Sequence, residues 1–205
     1  MAQQCLWYYT DLPEQVIDIL IKELSKNFDN RVADSLLVGD RYNKDVRNSR
    51  NCWIPSNHWI GGFLWHYIQR ANKENFLYDL RGIDDENIQY THYGPGEYYK
   101  WHMDEGLMTM YKPSGVGDKD SRKTDYWEES TELIRKLSFS MQLSGPDDYE
   151  GGNLQFQLDN GECIFAPRQK GAVILFDSRL RHRVLPITKG IRKSLVGWCN
   201  GPRWR

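Results

Sequence analysis

The sequence predicts a β-sandwich or jelly roll covered by helices, and three observations carry that expectation. Over residues 1–85 apolar side chains recur at helical spacing. From about residue 86 the period changes to two, in short runs punctuated by Gly, Pro and Asn-Gly turns. The 205 residues, 40% of them hydrophobic, suffice to bury one sizeable core. We therefore expect residues 1–205 to form a single domain, mainly β, with a helical lead over 1–85 packed on one sheet of a core over 86–202.

The elements follow in order. Thr10 or Asp11 is placed to cap a first helix, Pro13 and Glu14 suit its first turn, and Val16, Ile17, Leu20, Leu24 and Phe28 form its stripe. A second helix follows Ser56, with Ile60, Phe63, Leu64, Tyr67, Ile68 and Ala71 as its buried face. Between them "GDRYNKDVRNSRNCWIP", residues 39–55, reads as a polar loop holding Arg47, Ser49 and Trp53. "ENIQYTHY" and "YYKWHMD" flank the turn "GPGE" and read as two joined strands. "IRKLSFSMQL" alternates, with Leu137, Phe139, Met141 and Leu143 on one face and Ser138, Ser140 and Gln142 on the other. "NLQFQL" and "ECIFAP" bracket Asp159-Asn160-Gly161, a hairpin signal. "GAVILFD", "HRVLP" and "IRKSLVGWC" complete the strands. Residues 105–131 are polar and glycine-containing, and are expected to be a loop that covers the site when substrate binds.

With 27 basic against 28 acidic residues the net charge is -1, so no field of one sign points to nucleic acid or an anionic membrane. The start "MAQQCLWYYT" has neither a cationic nor an apolar targeting region, and no run approaches the ~20 apolar residues of a membrane span. Cys5, Cys52, Cys163 and Cys199 are scattered without a C-x-x-C pair, which argues against a disulfide framework or a zinc-thiolate site. The cytoplasm is the expected compartment.

The stretch that carries chemistry is "YYKWHMDEG", residues 98–106. Strand residues i and i+2 share a face, so His102 and Asp104 project side by side, as two ligands of one metal ion do. A redox iron takes two imidazoles and a carboxylate on one face and keeps three positions open. The second imidazole must come from His58, His66, His92 or His182. The first two flank the second helix and suit surface or packing roles, and His92 lies just before a tight turn on the preceding strand. His182 follows an apolar strand, and ten residues later comes Arg192. Alternation puts Arg192, Ser194, Val196 and Trp198 on one face and Lys193, Leu195, Gly197 and Cys199 on the other. A guanidinium facing inward needs an anion, either a protein carboxylate or that of a bound acid gripped bidentately.

"H-x-D … H-x(9)-R", with "YGPG" before the first His and "DDYEGGNL" midway, resembles the iron(II)- and 2-oxoglutarate-dependent dioxygenases, and within them the prolyl 4-hydroxylase group. "RKLSFSMQLSGPDDYEGGNLQF", "KGAVILFDSRLRHRVLPITKGIRKSLVGW" and "VRNSRNCW" are similar to blocks of that group, so the resemblance spans most of residues 41–202. It implies a double-stranded β-helix in which His102, Asp104 and His182 hold Fe(II). 2-Oxoglutarate would chelate the metal, and Arg192 would bind its far carboxylate, where many relatives use Lys. Tyr93, Ser138 and Ser194 match positions near the cosubstrate, while Trp198, Tyr99 and Arg47 match substrate-side positions. Simple alternation turns Tyr99 away from the metal, so its role requires a β-bulge near the turn. O2 and ascorbate complete the implied cofactors.

The implied activity is hydroxylation of a peptidyl proline with conversion of 2-oxoglutarate to succinate. A second reading keeps the chemistry but takes a free amino acid, another protein side chain or a small metabolite. A third makes the chain a non-catalytic jelly-roll binding module, against which the joint presence of His102, Asp104, His182 and Arg192 argues.

Overall fold

The computed structural model describes residues 5–35, 43–55, 57–83, 88–104 and 133–204. Among the described residues two α-helices, α1 (Glu14–Asn27) and α2 (Trp59–Ala71), accompany fifteen strands. Those of the N-terminal part are β1 (Leu6–Tyr9), β2 (Ala33–Asp34), β3 (Arg47–Asn48), β4 (Arg50–Ile54) and β5 (Gly82–Ile83). There follow β6 (Ile88–Tyr93), β7 (Tyr98–His102), β8 (Leu133–Gln142), β9 (Tyr149–Gly151) and β10 (Leu154–Gln157). The last five are β11 (Cys163–Phe165), β12 (Val173–Asp177), β13 (Arg181–Val184), β14 (Ile187–Gly190) and β15 (Arg192–Pro202).

Eight strands make one sheet in the order β1-β12-β8-β15-β6-β4-β2, with β5 pairing to β15. Five make a second sheet, β11-β10-β13-β7-β3, and β14 pairs with β9 in a small ribbon. The fold is mainly β, a jelly roll. Two apolar clusters organise it. In the first, Ile17, Leu20 and Leu24 of α1 and Ile60, Leu64 and Ile68 of α2 pack with Leu137, Phe139, Met141 and Leu195 of the large sheet. Each such side chain contributes about 1.5–3 kcal/mol by leaving water. The second lies between the sheets, joining Ile174 and Phe176 to Leu154, Phe156 and Val184. The tight turn after β9 depends on glycine: Gly151 and Gly152 sit at φ +73 and +62, and a Cβ at Gly151 would collide with the Pro186 carbonyl.

The structure departs from the sequence reading in four places. Neither Thr10 nor Asp11 caps α1. Pro13 occupies that position without a side-chain bond, and its carbonyl accepts from the Val16 and Ile17 N–H groups. Residues 1–85 hold five strands as well as the helices. Residues 39–55, expected as a loop, contain β3 and β4, and β4 pairs with β6 along Arg50–Ile54. Of the buried side chains here Arg47, Ser49 and Asn51 are polar, and Cys52 and Ile54 alone give too short an apolar alternation to mark a strand. Finally β7 ends at His102, and Asp104 stands in a bend beyond it. The covering loop expected over 105–131 lies outside the described residues. No helix among the described residues is long and apolar enough to cross a membrane.

Candidate active site

His102 closes β7, and the sheet register sets it opposite His182 on β13. Asp104 is turned back toward both by its N–H, which donates to the Ser178 carbonyl at 2.9 Å. The three residues each bring a ligand atom to within 4.8 Å of the others. Nε2 of His102 lies 3.8 Å from Oδ1 of Asp104, and Nε2 of His182 lies 3.5 Å from Oδ2. The other ring nitrogens are already used: Nδ1 of His102 is 2.8 Å from the Lys100 carbonyl, and Nδ1 of His182 is 2.9 Å from that of Leu180. A carbonyl only accepts, so Nδ1 carries the proton and the Nε2 lone pair faces the cluster. The Ser138 hydroxyl donates to Asp104 Oδ2 at 2.6 Å and is 2.9 Å from the Ser178 hydroxyl.

Burial, then the proximity of His182, pushes His102 down to about 4, so its ring is neutral near pH 7. Burial pushes the Asp104 carboxyl up, but the His182 and His102 imidazoles and the Ser138 hydroxyl more than offset it and hold the group below its ordinary value. Two imidazoles and one carboxylate on a single face form the donor set of an open divalent iron site. The residues fit the ion.

Facing this cluster, the inner surface of the large sheet is polar. Register places Ser138 opposite Trp198, Gln142 opposite Ser194, Ser194 opposite Thr91 and Arg192 opposite Tyr93. Arg192 is 1% exposed, and its guanidinium carbon is 5.7 Å from the centre of the Tyr93 ring. No carboxylate pairs with it among the described residues. Lys193 points to the other face and binds Asp29 at 3.1 Å. Buried atoms without a hydrogen-bond partner concentrate on the inner surface: Arg192 Nε, Ser194 Oγ, Thr91 Oγ1, Ser140 Oγ, Gln142 Oε1 and Trp198 Nε1. Native interiors leave few such atoms, so six on one surface mark a place made for a polar ligand. A dicarboxylate fits it, since a buried unpaired guanidinium calls for an anion.

Tyr99 lies against His102, ring centroids 3.6 Å apart and 18° from parallel. Register supplies the bulge this contact needs, because His182 pairs with His102 but Val184 pairs with Tyr99, three residues against two. The Arg47 guanidinium lies 5.0 Å from the Tyr99 centroid. Trp198 has the Arg135 guanidinium 3.9 Å from its ring and Trp53 6.4 Å away. Among the residues singled out from sequence, His102, Asp104, His182, Ser138 and Tyr99 thus gather at one point. Arg192, Tyr93 and Ser194 form the polar wall, and Trp198 and Arg47 flank it. His92 is on the opposite face, its Nε2 3.6 Å from Asp29. Sequence reasoning missed Thr91, Gln142 and Ser178; alternation with Tyr93 and Ser138 marks the first two, whereas nothing marks Ser178.

Residues 88–200, more than half of the chain and including His102, Asp104, His182 and Arg192, match the sequence profile of the 2OG-Fe(II) oxygenase superfamily. The chain belongs to that superfamily. Among relatives of this oxygenase, a PKHD-type hydroxylase of Synechococcus sp. (strain JA-2-3B'a(2-13)) is 42% identical over 177 residues, 85% of this chain and 70% of the relative. A PKHD-type hydroxylase of Idiomarina loihiensis is 34% identical over 111 residues, 54% of this chain and 40% of the relative. Among solved structures, a prolyl-4-hydroxylase of Pseudomonas putida superposes on the oxygenase with TM-score 0.68 at 19% identity, covering 98% of this chain and 94% of that one. A prolyl hydroxylase of Trichoplax adhaerens, solved with a hypoxia inducible factor peptide fragment, gives TM-score 0.70 at 14% identity over 95% of this chain and 83% of that one. At those identities the two structures speak for the fold.

Proposed function

We propose that this oxygenase hydroxylates a prolyl residue of a peptide or protein, with iron(II) held by His102, Asp104 and His182 and 2-oxoglutarate as cosubstrate. The observation that carries the proposal is the His102–Asp104–His182 cluster, joined through Ser138 to the polar inner face that buries Arg192 with no carboxylate partner among the described residues. Bound iron supplies the dioxygen chemistry that couples decarboxylation of 2-oxoglutarate to succinate and CO2 with insertion of one oxygen atom into the substrate. The protein's side chains do the rest. The two Nδ1–H bonds fix the imidazoles so that only Nε2 is offered, and the Ser138 hydroxyl and Asp104 N–H fix the carboxylate. Arg192 binds the distal carboxylate of the cosubstrate, with the hydroxyls of Tyr93, Ser194 and Thr91 as its neighbours. The buried setting excludes water and strengthens that ion pair.

Support for a prolyl substrate comes from two sides. The PKHD-type relative and the prolyl hydroxylase folds point to it, and the aromatic faces of Tyr99 and Trp198 flank the pocket, where an apolar pyrrolidine ring packs well. The test is succinate formation by the purified protein with Fe(II), 2-oxoglutarate and ascorbate as reductant, against proline-rich peptides and free amino acids. The expected result is succinate and hydroxyproline in equal amounts with a peptide. Stimulation by a free amino acid or another side chain, with every proline peptide inert, would overturn the substrate assignment.

A further inference from the structure

Among the described residues only two arginines are fully buried, Arg192 at 1% and Arg47 at 7% exposure. Of the more exposed arginines, four meet carboxylates, Arg50 with Glu97, Arg70 with Glu74, Arg81 with Asp79 and Arg179 with Asp177, while Arg168, Arg181 and Arg183 bond neutral groups at the surface or its edge. The two buried ones are removed from water and meet no carboxylate among the described residues. Arg47 has neutral partners, its Nε donating to Ser49 Oγ at 2.8 Å and its Nη2 to Gln89 Oε1 at 3.1 Å. These contacts take two of the five N–H donors of a guanidinium and leave the charge uncompensated.

The position of Arg47 says what the charge faces. It lies on β3, the edge of the five-stranded sheet, and its bond to Gln89 reaches β6 of the eight-stranded sheet, so the guanidinium bridges the two at one side of the pocket. Its guanidinium carbon is 5.0 Å from the centre of the Tyr99 ring, which is stacked on His102, so one aromatic ring links Arg47 to the metal cluster. The proposed cosubstrate brings one distal carboxylate, and Arg192 takes it. A second buried guanidinium in the same interior has no anion left from the cosubstrate.

We infer, on the reading that the pocket hydroxylates a substrate beside His102, that this substrate carries a carboxylate bound by Arg47. An extended peptide advances about 3.5 Å per residue, so an acidic side chain within about two positions of the hydroxylated residue reaches across a separation of one aromatic ring. The same carboxylate is also presented by a free amino acid or by the C-terminal residue of a peptide. The chemistry is shared, and the assay separates the sources.

Binding is measured by fluorescence anisotropy on protein loaded with Mn(II) and 2-oxoglutarate, where no turnover occurs. The probes are labelled, amidated five-residue peptides with a central proline and one Asp at positions -2 to +2, each beside its Asn counterpart. The expected result is an Asp peptide bound about 10- to 100-fold more tightly than its Asn partner, the range of a charge-assisted hydrogen bond. Arg47→Gln should remove that preference, and Arg47→Glu should transfer it to the corresponding Lys peptide. If only peptides with a free C-terminal carboxylate, or free amino acids competing with them, show the Arg47-dependent preference, the terminal carboxylate is the source. Equal binding of Asp, Asn and free-acid probes by the wild-type protein overturns the inference without any variant, as does a preference that survives in Arg47→Gln. Hydroxylation of neutral proline peptides with no acidic preference overturns the carboxylate alone. Bound 2-oxoglutarate with no proline peptide bound or turned over overturns the function on which it rests.

Discussion

The Nδ1 atoms of His102 and His182 are committed to the carbonyls of Lys100 and Leu180, so each imidazole has one nitrogen to offer and one orientation in which to offer it. His102→Ala or His182→Ala should therefore abolish binding of Co(II), read from its visible absorption, while far-ultraviolet circular dichroism stays native. His92→Ala should bind Co(II) as the wild type does, since His92 lies toward Asp29 on the other face. Metal binding lost in His92→Ala and retained in His182→Ala would reverse the ligand assignment. Ser138 was expected near the cosubstrate, yet its hydroxyl bonds the Asp104 carboxylate at 2.6 Å. Ser138→Ala should weaken Co(II) by about 10- to 100-fold, the usual effect of removing a partner that orients a ligand. A raised 2-oxoglutarate requirement with unchanged metal affinity would instead support the cosubstrate role. Arg192→Ala should cost about 2–5 kcal/mol in 2-oxoglutarate binding. Lys193→Ala should leave that binding in place, because Lys193 is spent on Asp29, and calorimetric titration of both variants decides between them.

At the scale of elements, the strands that build the core announce themselves and those that build the site do so only in part. Leu137, Phe139 and Met141 alternate with Ser138, Ser140 and Gln142, so β8 was legible together with both of its faces. β3 and β4 were not, because Arg47, Ser49 and Asn51 face a polar interior and only Cys52 and Ile54 supply the apolar alternation that marks a strand. The H-x-D spacing pointed to the right pair of side chains by way of a continuous strand, whereas Asp104 is held in a bend by the Ser178 carbonyl. Ser178, an isolated serine between β12 and β13, belongs to no periodic pattern. The bulge that brings Tyr99 onto His102 could be required from sequence but not located. This division of labour has a measurable consequence. Leu64 of α2 is fully buried in the cluster on the helix side of the large sheet, away from the polar lining. Leu64→Ala should lower unfolding free energy by about 2–5 kcal/mol in urea titrations, as large-to-small core changes do. Its Co(II) affinity at 20 °C below the melting midpoint should match that of the wild type; a parallel loss of metal would mean that the helices hold the site as well as the core.

Over the whole molecule the two faces of the large sheet carry charge in different ways, the inner around the candidate site and the outer in a closed set. On the outer face Asp29 accepts from the Tyr90 hydroxyl at 2.7 Å and from Lys193 at 3.1 Å, with His92 at 3.6 Å. Burial, then the charge of Lys193, pushes His92 down to about 4, with Asp29 opposing and Arg50 adding to the shift. In the unfolded chain the same imidazole titrates near 6.5. Between those values the unfolded chain binds the proton and the folded one does not, so stability is complete above about 6.5 and falls as the pH drops toward 4. The full loss is on the order of 3 kcal/mol, with a slope approaching ~1.4 kcal/mol per pH unit for one proton. His102 is depressed into the same window, and only a difference between proteins isolates His92. The carboxyls of Asp29, Asp104 and Asp177 are lowered from 3.8 and act below it. Urea unfolding of the wild type and of His92→Gln, with EDTA present to keep metal linkage out, should therefore give curves of stability against pH that run parallel above pH 7. They should converge between 6.5 and 4, where the wild type loses stability faster by up to one proton's slope. Curves that stay parallel through that window would mean that His92 takes up its proton in the folded protein without penalty, and the half-buried set around Asp29 would then accommodate a second cation.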